Sequence, residues 1–465
     1  MTKFNLCVLP TQCGKTFTAI SKINTYIQED NEFGKSIHII FTMNTLLNNS
    51  QFVKRLNVLQ NTYGKDAICV VSSKKSELEC KHVKNKDGLQ SLCFDKKTCP
   101  KVIVMCSNSI RRKDGVDFLE CINDNSNSIK RAFVYYDELH DYINDKVRSQ
   151  IEKIHDLDIV KGITALTASP DKIWKDTGFW SNLRLIYLDN LSYENYAGYK
   201  DMIFNCIDDY FEMPYIRRSN FDQQTYEFIK QVLIKHPEIL GKNTYSFIPA
   251  HIRCRGHDSV SDLILKLNND AVVVVINGTK KIIKYKDCNR ILIEVPLKSK
   301  NEEVCETISR LVIDHNLQNH PIVITGFLCI GMGQTFTNKT LGSFTSAIFG
   351  HLDLDNDKMY QLFGRITGRI KDWDNYRQTK VYCPTIIMNR CLTMEECSRD
   401  MALNHNGENV SHEDYIKPMN QMGEIGQAVI ENIRIQRKSK VVKEKCDDPL
   451  WDLIERDFET FDDAN

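Results

Sequence analysis

Short apolar runs recur along the first 170 residues and alternate with longer polar segments that are compatible with helices. A run that is apolar throughout and ends at a turn signal is typical of a strand buried on both faces of a parallel sheet. The polar segments between such runs, for example 16–27, are typical of crossover helices. This pattern predicts parallel strands at 4–9, 37–41, 67–71, 102–105, 132–136 and 163–166.

The same pattern returns in the second half of the chain after a change of texture. Segment 189–240 is aromatic, acidic and helix-prone, and we interpret it as the connection between two lobes. The sequence after 389 has helical spacing, a basic stretch and an acidic end, which indicates a mainly helical tail. The predicted fold class is therefore α/β, with a parallel-sheet domain at 1–188, a connection at 189–240, a second parallel-sheet domain at 241–388 and a tail at 389–465. Strands of the second domain are predicted at 245–248, 271–276, 290–294, 321–325 and 346–349.

Composition supports a folded protein of more than one domain. The chain has 465 residues, which is more than one hydrophobic core usually supports. Its 61 basic and 61 acidic residues cancel, so charge by itself indicates no polyanionic partner, although a local basic cleft stays possible. Its 17 cysteines are scattered, and the chain does not open on a charged and then apolar leader. We therefore expect a soluble intracellular protein with reduced thiols, in the cytoplasm or nucleus and not in a membrane.

A loop that can bind phosphate follows the first predicted strand. In a strand–loop–helix context, backbone N–H groups of the loop and of the helix N-terminus can surround phosphate oxygens. Lys15 can reach the terminal phosphates, and the Thr16 hydroxyl can ligate Mg²⁺. The loop therefore predicts a nucleoside triphosphate site, with the sequence Pro10-Thr11-Gln12-Cys13-Gly14-Lys15-Thr16.

Two adjacent carboxylates follow the predicted strand 132–136. Asp137 and Glu138 emerge at the carboxyl end of that strand, where open α/β sheets bind their ligands. Mg²⁺ binds through one or two carboxylates and keeps several waters, a task that suits Asp137. Glu138 can orient or deprotonate an attacking water. His140, two positions on, can couple the nucleotide to neighbouring motifs.

Read together, the phosphate loop and the Asp-Glu-Leu-His segment resemble motifs I and II of the superfamily 2 DExH-box helicases and translocases. Segment 166–170 resembles motif III, which in that family links hydrolysis to lobe movement, and the hydroxyls of Thr167 and Ser169 are expected to bond the acidic motif. The resemblance implies two RecA-like domains in tandem, with ATP and Mg²⁺ as cofactors and nucleic acid as the partner. The compact form is similar to helicases of large DNA viruses and phages.

Two arginines in the second predicted domain resemble motif VI, whose arginines are the arginine fingers of this family. A guanidinium offers permanent, planar, bidentate contact to phosphoryl oxygens. The arginines stand four residues apart instead of the usual three, and on a helix they would still share a face. We expect Arg369 to act as the finger and Arg365 to lie close behind it. The residues that match the motif are Gln361, Gly364, Arg365, Gly368 and Arg369.

Further segments resemble the motifs that contact the polynucleotide in this family. Small polar groups after the strands of each lobe are expected to meet phosphates, which set position without reading sequence. The segment 246–249 resembles motif IV, and motif V aligns on either Gly331 or Gly333; we count Gly333 with the nucleotide-binding residues. The residues expected to contact nucleic acid are Thr42, Asn44, Ser107, Asn108, Arg111 and Thr325.

Two groups of cysteine and histidine residues are possible metal ligands. Cys80, His82, Cys93 and Cys99 could close a tetrahedral zinc site, although their spacing departs from paired zinc knuckles. A second group supplies three candidates, His251, Cys254 and His257. In both groups, reduced cysteines and ordinary surface histidines are the alternative.

These observations predict an ATP hydrolase that is stimulated by nucleic acid and that couples hydrolysis to movement on, or unwinding of, DNA in preference to RNA. One alternative is the motor subunit of a larger restriction, replication, repair or transcription complex, with protein partners. Another alternative is a clamp that closes on nucleic acid in response to nucleotide without moving. The nine residues before the phosphate loop leave no room for the segment that recognises adenine in many members of this family.

Overall fold

The structure is a computed structural model that describes residues 3–43, 46–73, 80–94, 99–125, 128–188, 191–208, 221–298, 302–331 and 335–421. Its internal contacts divide the chain into two compact units. Unit one consists of Met1–Leu191 with Ser398–Lys417, and unit two of Ser192–Cys397 with Pro418–Asn465. No helix among the described residues is both long enough and apolar enough to span a bilayer.

Strands and helices alternate along most of the described chain. The strands are β1 (Phe4–Val8), β2 (Ser36–Thr42), β3 (Ile68–Val71), β4 (Lys81–Val83), β5 (Val102–Cys106), β6 (Arg131–Asp137), β7 (Val160–Thr167), β8 (Asn182–Leu185), β9 (Tyr196–Ala197), β10 (Ile203–Cys206), β11 (Tyr245–Phe247), β12 (Val272–Ile276), β13 (Lys281–Lys286), β14 (Leu292–Pro296), β15 (Ile322–Gly326), β16 (Ser346–Ile348), β17 (Gly368–Arg369), β18 (Lys380–Cys383) and β19 (Asn409–Ser411). The helices are α1 (Lys15–Gln28), α2 (Asp30–Phe33), α3 (Leu46–Arg55), α4 (Asn57–Tyr63), α5 (Lys86–Phe94), α6 (Ser109–Asn125), α7 (Asp145–Asp156), α8 (Phe221–Lys235), α9 (Cys254–Leu267), α10 (Val304–Asp314), α11 (Leu328–Gly331), α12 (Asn356–Phe363), α13 (Thr385–Asn404) and α14 (His412–Gln421).

Unit one is built on a nine-stranded sheet in the order β19-β8-β1-β7-β6-β2-β5-β3-β4. The strand pairs are parallel except for the edge pair β19–β8. The central strands are buried along most or all of their length, as the apolar runs predicted. Because β7 lies between β1 and β6, the carboxyl ends of these three strands meet at one edge of the sheet. That edge carries the phosphate loop, the acidic segment and Thr167.

Unit two is built on an eight-stranded sheet in the order β10-β18-β16-β11-β15-β12-β13-β14. The predicted α/β class is confirmed, but the parallel direction predicted for the strand at 290–294 was wrong. It corresponds to β14, which forms an antiparallel hairpin with β13 at the sheet edge and not a parallel strand. Exposed and half-buried positions alternate along β14. Antiparallel neighbours need no crossover helix, so a short turn that includes Arg290, with φ 64°, joins β13 to β14.

Two segments contribute to the sheets in ways that the sequence pattern did not indicate. Within the predicted connection, β10 pairs with β18, and α8 buries Phe228, Ile229 and Val232 in the core of unit two. Within the predicted tail, β19 pairs with β8 of unit one. These strands, of four and three residues, are too short to stand out from loops. The domain limits at 188, 240 and 388 stay predictions.

Gly326 ends β15 in a conformation that only glycine adopts readily, with φ 152°. A Cβ there would lie 2.1 Å from the carbonyl oxygen of Ile276 on the adjacent strand. We expect Gly326→Ala to destabilise unit two by at least about 2 kcal/mol, because both backbone strain and the clash oppose folding. Chemical denaturation followed by circular dichroism measures the change.

The matched control is Gly256→Ala in α9, where a Cβ meets nothing within 4 Å. Alanine favours the helix over glycine, so this variant should be unchanged or gain at most about 1 kcal/mol. Equal stability of the two variants would contradict the strain at Gly326.

Candidate nucleotide site

The phosphate loop joins the buried strand β1 to the first turn of α1. Two hydrogen bonds hold its backbone: Leu9 N–H donates to the Thr167 carbonyl at 3.3 Å, and Cys13 N–H to the Pro10 carbonyl at 3.2 Å. Gly14 has φ 104°, a value that glycine tolerates and that turns the chain directly into α1. No side chain hydrogen-bonds the N-cap of α1, and its first turn holds no acidic residue. The positive end of the helix dipole is therefore not opposed by α1's own side chains, as an anion site requires.

Other loop positions reinforce this geometry. Gln12 has φ 57°, in the left-handed region that non-glycine residues rarely adopt. Strain of this kind, about 1–3 kcal/mol, persists where the surrounding structure imposes it and is common at ligand sites. Thr11 and Cys13 are buried beside it. The loop is thus held in one shape by buried side chains on both sides of the strained residue.

Lys15 and Glu138 form an ion pair at the centre of this edge. The Lys15 Nζ lies 3.5 Å from Glu138 Oε1, and the two residues are only 7% and 9% exposed. Glu138 has φ 49° and ψ 47°, while its N–H donates to the Leu166 carbonyl at 2.8 Å. The hydrogen bond to β7 therefore holds the backbone in a left-handed turn immediately after β6. The structure thereby brings together two side chains that lie far apart in the sequence.

Asp137 is half-buried next to this pair. Burial and the neighbouring Glu138 raise its pKa to about 7, against the lowering effects of Lys15, Arg55 and His140. A carboxylate held in such surroundings is stabilised by any cation that arrives. With the Thr16 hydroxyl it offers hard oxygen donors, the kind that Mg²⁺ prefers. The donor set at this edge fits the predicted metal ion.

His140 connects the acidic segment to β7. Its Nδ1 lies 2.9 Å from Thr167 Oγ1, and that oxygen accepts a hydrogen bond from the Ser169 N–H at 3.0 Å. The direction of the hydrogen bond between Thr167 and His140 depends on the imidazole tautomer, and Nε2, 3.3 Å from Asp141 Oδ1, has no hydrogen-bond partner in the described part of the chain. Nδ1 also lies 3.5 Å from Glu138 Oε2. The expected hydrogen bond between Thr167 and the acidic motif is confirmed, whereas the buried Ser169 hydroxyl has no partner among the described residues.

Arg55 is a residue of this site that the motifs did not indicate. Its Nη1 donates to Thr16 Oγ1 at 3.3 Å, and its positive charge opposes the rise in the pKa of Asp137. It ends α3, a helix that follows β2 and carries no recognisable motif. Only the packing of α3 beside α1 brings it to the loop, so no spacing in the sequence could have identified it.

The motif VI residues adopt a different local structure from the predicted shared helix face. The helix α12 ends at Phe363, a 3₁₀ turn covers Gly364–Ile366, and Arg369 belongs to β17. Arg365 is buried, and its Nη2 donates to Gln361 Oε1 and its Nε to the Gln361 carbonyl, both at 3.2 Å. Arg369 is exposed. The expectation that both arginines lie on one helix face was wrong, because the helix ends before Arg365 and the backbone is extended from Thr367 to Arg369.

The residues predicted to contact nucleic acid differ in accessibility. Thr42, Ser107 and Thr325 are buried. Asn108 accepts a hydrogen bond from the Arg111 N–H at 2.9 Å, within the first turn of α6, and Arg111 is paired with Asp114 at 2.6 Å. Two predicted residues, Asn44 and Gly333, lie outside the described residues. The contacts to nucleic acid stay predictions.

Neither cysteine–histidine group forms a recognisable metal centre in the part of the chain that the structure describes, where no cluster of three or more potential ligands occurs. His82 bonds Ser72 at 3.0 Å. A hydrogen bond shared by Cys93 and Cys99 raises the pKa of Cys93 and lowers that of Cys99 to about 7. In the second group, both ring nitrogens of His251 contact carboxylates: Nδ1 contacts Asp222 and Nε2 contacts Asp353.

No protein-family model and no curated protein matches the sequence. Among solved structures, the chain is similar to the DEAD-box helicase Mss116 bound to ssRNA and UDP-BeF, with 10% identity and a TM-score of 0.45 over 94% of this chain and 79% of that one. It is also similar to the ATP-dependent Type ISP restriction-modification enzyme LlaBIII bound to DNA, with 12% identity and a TM-score of 0.48 over 91% of this chain and 29% of that one.

The DExH-box NTPase HrpB of E. coli is a third similar structure, with 10% identity and a TM-score of 0.40 over 82% of this chain and 39% of that one. Two of these neighbours are a DEAD-box helicase and a DExH-box NTPase, and the likeness to all three concerns the fold. The chain spans well under half the length of the last two. Its functional assignment therefore depends on its own side chains.

Proposed function

We propose that this chain is an ATP hydrolase that is stimulated by nucleic acid and uses the energy of hydrolysis to move on or unwind a polynucleotide. The observation that carries the proposal is the buried ion pair between Lys15 and Glu138, placed between a phosphate-binding loop and a carboxylate that suits Mg²⁺. Two residues near the buried Lys15 have left-handed backbone: Gln12 in the phosphate loop and Glu138 after β6. Such strain is common at ligand sites and is not expected of an ordinary strand-to-helix turn.

The ion pair explains how binding would prepare the site for hydrolysis. A triphosphate carries more negative charge than one carboxylate, so it draws the Lys15 ammonium away from Glu138. Glu138 can then accept a hydrogen bond from water. His140 Nδ1, 3.5 Å from Glu138 Oε2, limits the positions that the released carboxylate can take. In this way Glu138 acts as a base only when phosphates occupy Lys15.

Hydrolysis then requires a base for the water and positive charge beside the phosphate oxygens and the transferring phosphoryl group. The water oxygen bonds to the γ-phosphorus as the bond to the bridging oxygen breaks, and Glu138 takes the proton. Mg²⁺, when bound by Thr16 and Asp137, supplies positive charge to the phosphate oxygens. Arg369, which is exposed, offers its guanidinium to the developing charge, and Arg365 with Gln361 supports the turn that carries it.

The test compares ATP hydrolysis without nucleic acid and with single-stranded DNA, duplex DNA or RNA. We expect Mg²⁺-dependent hydrolysis that at least one polymer stimulates, with DNA favoured over RNA. Strand-displacement and triplex-displacement assays then separate unwinding from translocation.

Three results would change the proposal. Polymer binding that changes with nucleotide but shows neither displacement nor turnover would favour a nucleotide-dependent clamp. Absence of both nucleotide binding and hydrolysis would overturn the enzyme assignment. A protein that translocates on duplex without separating strands would fit the motor subunit of a larger complex.

A further inference from the structure

A second cation lies in the nucleotide site beside Lys15. The guanidinium of Arg55 donates a hydrogen bond to Thr16 Oγ1 at 3.3 Å and is close enough to Asp137 for its charge to stabilise that carboxylate. Thr16 and Asp137 are the two oxygen donors that fit a divalent cation. Arg55 therefore hydrogen-bonds one of the two groups that the metal ion would use and acts on the other through its charge.

Arg55 and a divalent cation compete for these groups for two physical reasons. A guanidinium has only N–H donors, so it takes one of the two lone pairs with which the Thr16 hydroxyl oxygen can bind a metal ion. Two positive charges beside one carboxylate also repel each other in a partly buried site, where water screens them weakly. Arg55 and a divalent cation therefore weaken each other's binding to Thr16 and Asp137.

We propose that Arg55 takes the place of the divalent cation when the site holds no metal, and that binding of Mg²⁺ with a nucleoside triphosphate displaces its guanidinium from Thr16. This inference rests on the proposed function. Arg55 is then a positioning residue that keeps the Thr16 hydroxyl and the Asp137 carboxylate in place between turnovers. It also sets how much Mg²⁺ the site requires, since the metal must displace a bound charge.

The test is a Mg²⁺ titration of nucleotide binding by the full chain, with a fluorescent ATP analogue as the probe. We compare the wild type with Arg55→Met, which removes the charge and the hydrogen bond, and Arg55→Gln, which removes the charge but keeps a donor. For both variants we expect the Mg²⁺ concentration at half-saturation to fall about fivefold or more, a typical size for coupling between two bound groups. Lys54→Met, one residue earlier on α3, removes the same charge and should match the wild type.

The possible outcomes separate this inference from the proposed function. If the wild type binds nucleotide and the Mg²⁺ midpoint of both Arg55 variants is unchanged or raised, the displacement of Arg55 is overturned and the proposed function stands. If nucleotide binding weakens equally with Mg²⁺ and with EDTA, Arg55 is a phosphate ligand and the inference is also overturned. If the wild type itself binds no nucleotide, both proposals fail. Should Arg55→Met not fold, Arg55→Gln decides.

Discussion

Replacing Glu138 by glutamine is expected to lower the rate of ATP hydrolysis by about 10²–10⁴-fold, the usual contribution of a general base. The amide has the shape of the carboxylate but cannot accept the proton of the attacking water. Because the amide no longer pairs with the Lys15 ammonium, nucleotide binding should persist or strengthen. Phosphate release at saturating ATP and nucleic acid measures the rate, and a fluorescent nucleotide measures binding.

The control for Glu138 is Glu120→Gln, an exposed carboxylate on α6 of the same unit, which should behave as the wild type. Lys15→Ala is also expected to abolish turnover, but through loss of nucleotide binding, since the ammonium is the group that meets the phosphates. The two variants thus differ in what they lose. Unchanged turnover in Glu138→Gln would remove the basis for the catalytic assignment.

Replacing Arg369 by alanine is expected to lower the rate of hydrolysis by about 10³–10⁵-fold, the range for loss of an arginine finger. The reason is local accessibility: Arg369 is exposed on β17, whereas Arg365 is buried and already holds Gln361. In the motif VI segment, Arg369 is the arginine that we expect to meet the transferring phosphoryl group. Single-turnover hydrolysis separates this loss from any change in nucleotide affinity.

Arg377→Ala is the matched control for Arg369, because Arg377 is exposed in the same unit and its backbone N–H bond to Ser343 survives the substitution. It should hydrolyse ATP at the wild-type rate. Arg365→Ala should lower the melting temperature, since it leaves Gln361 without its partner in a buried turn. If Arg365→Ala is stable and inactive while Arg369→Ala remains active, the two roles are reversed.

Strands were predicted from the sequence more successfully when they were long than when they were short. Long apolar runs such as β2 were located correctly because a strand buried on both faces has no polar position to obscure it. Short strands such as β10 and β19 were missed, because three or four residues carry too little pattern to differ from a loop. The hairpin strand β14 was found but misassigned, since an apolar run does not reveal the direction of its neighbour.

Local chemistry was predictable where it follows chain order. The loop from Pro10 to Thr16 and the acidic segment at Asp137 each follow a strand directly, so their position at the sheet edge could be inferred. The conformation after Phe363 could not, because the helix gives way to a 3₁₀ turn and then to extended backbone at Thr367, where spacing alone allowed it to continue.

By itself, the sequence determined the α/β class, the central strands and the residue types available for phosphate and metal chemistry, because these depend on patterns within a few neighbouring positions. Tertiary structure alone decided that Lys15 pairs with Glu138, that Thr167 bonds His140 and that Arg55 lies on Thr16. Each of these contacts joins residues from separate elements. The order of strands in the sheet and the packing of helices on it bring such residues together, and neither is encoded in the spacing of a single motif.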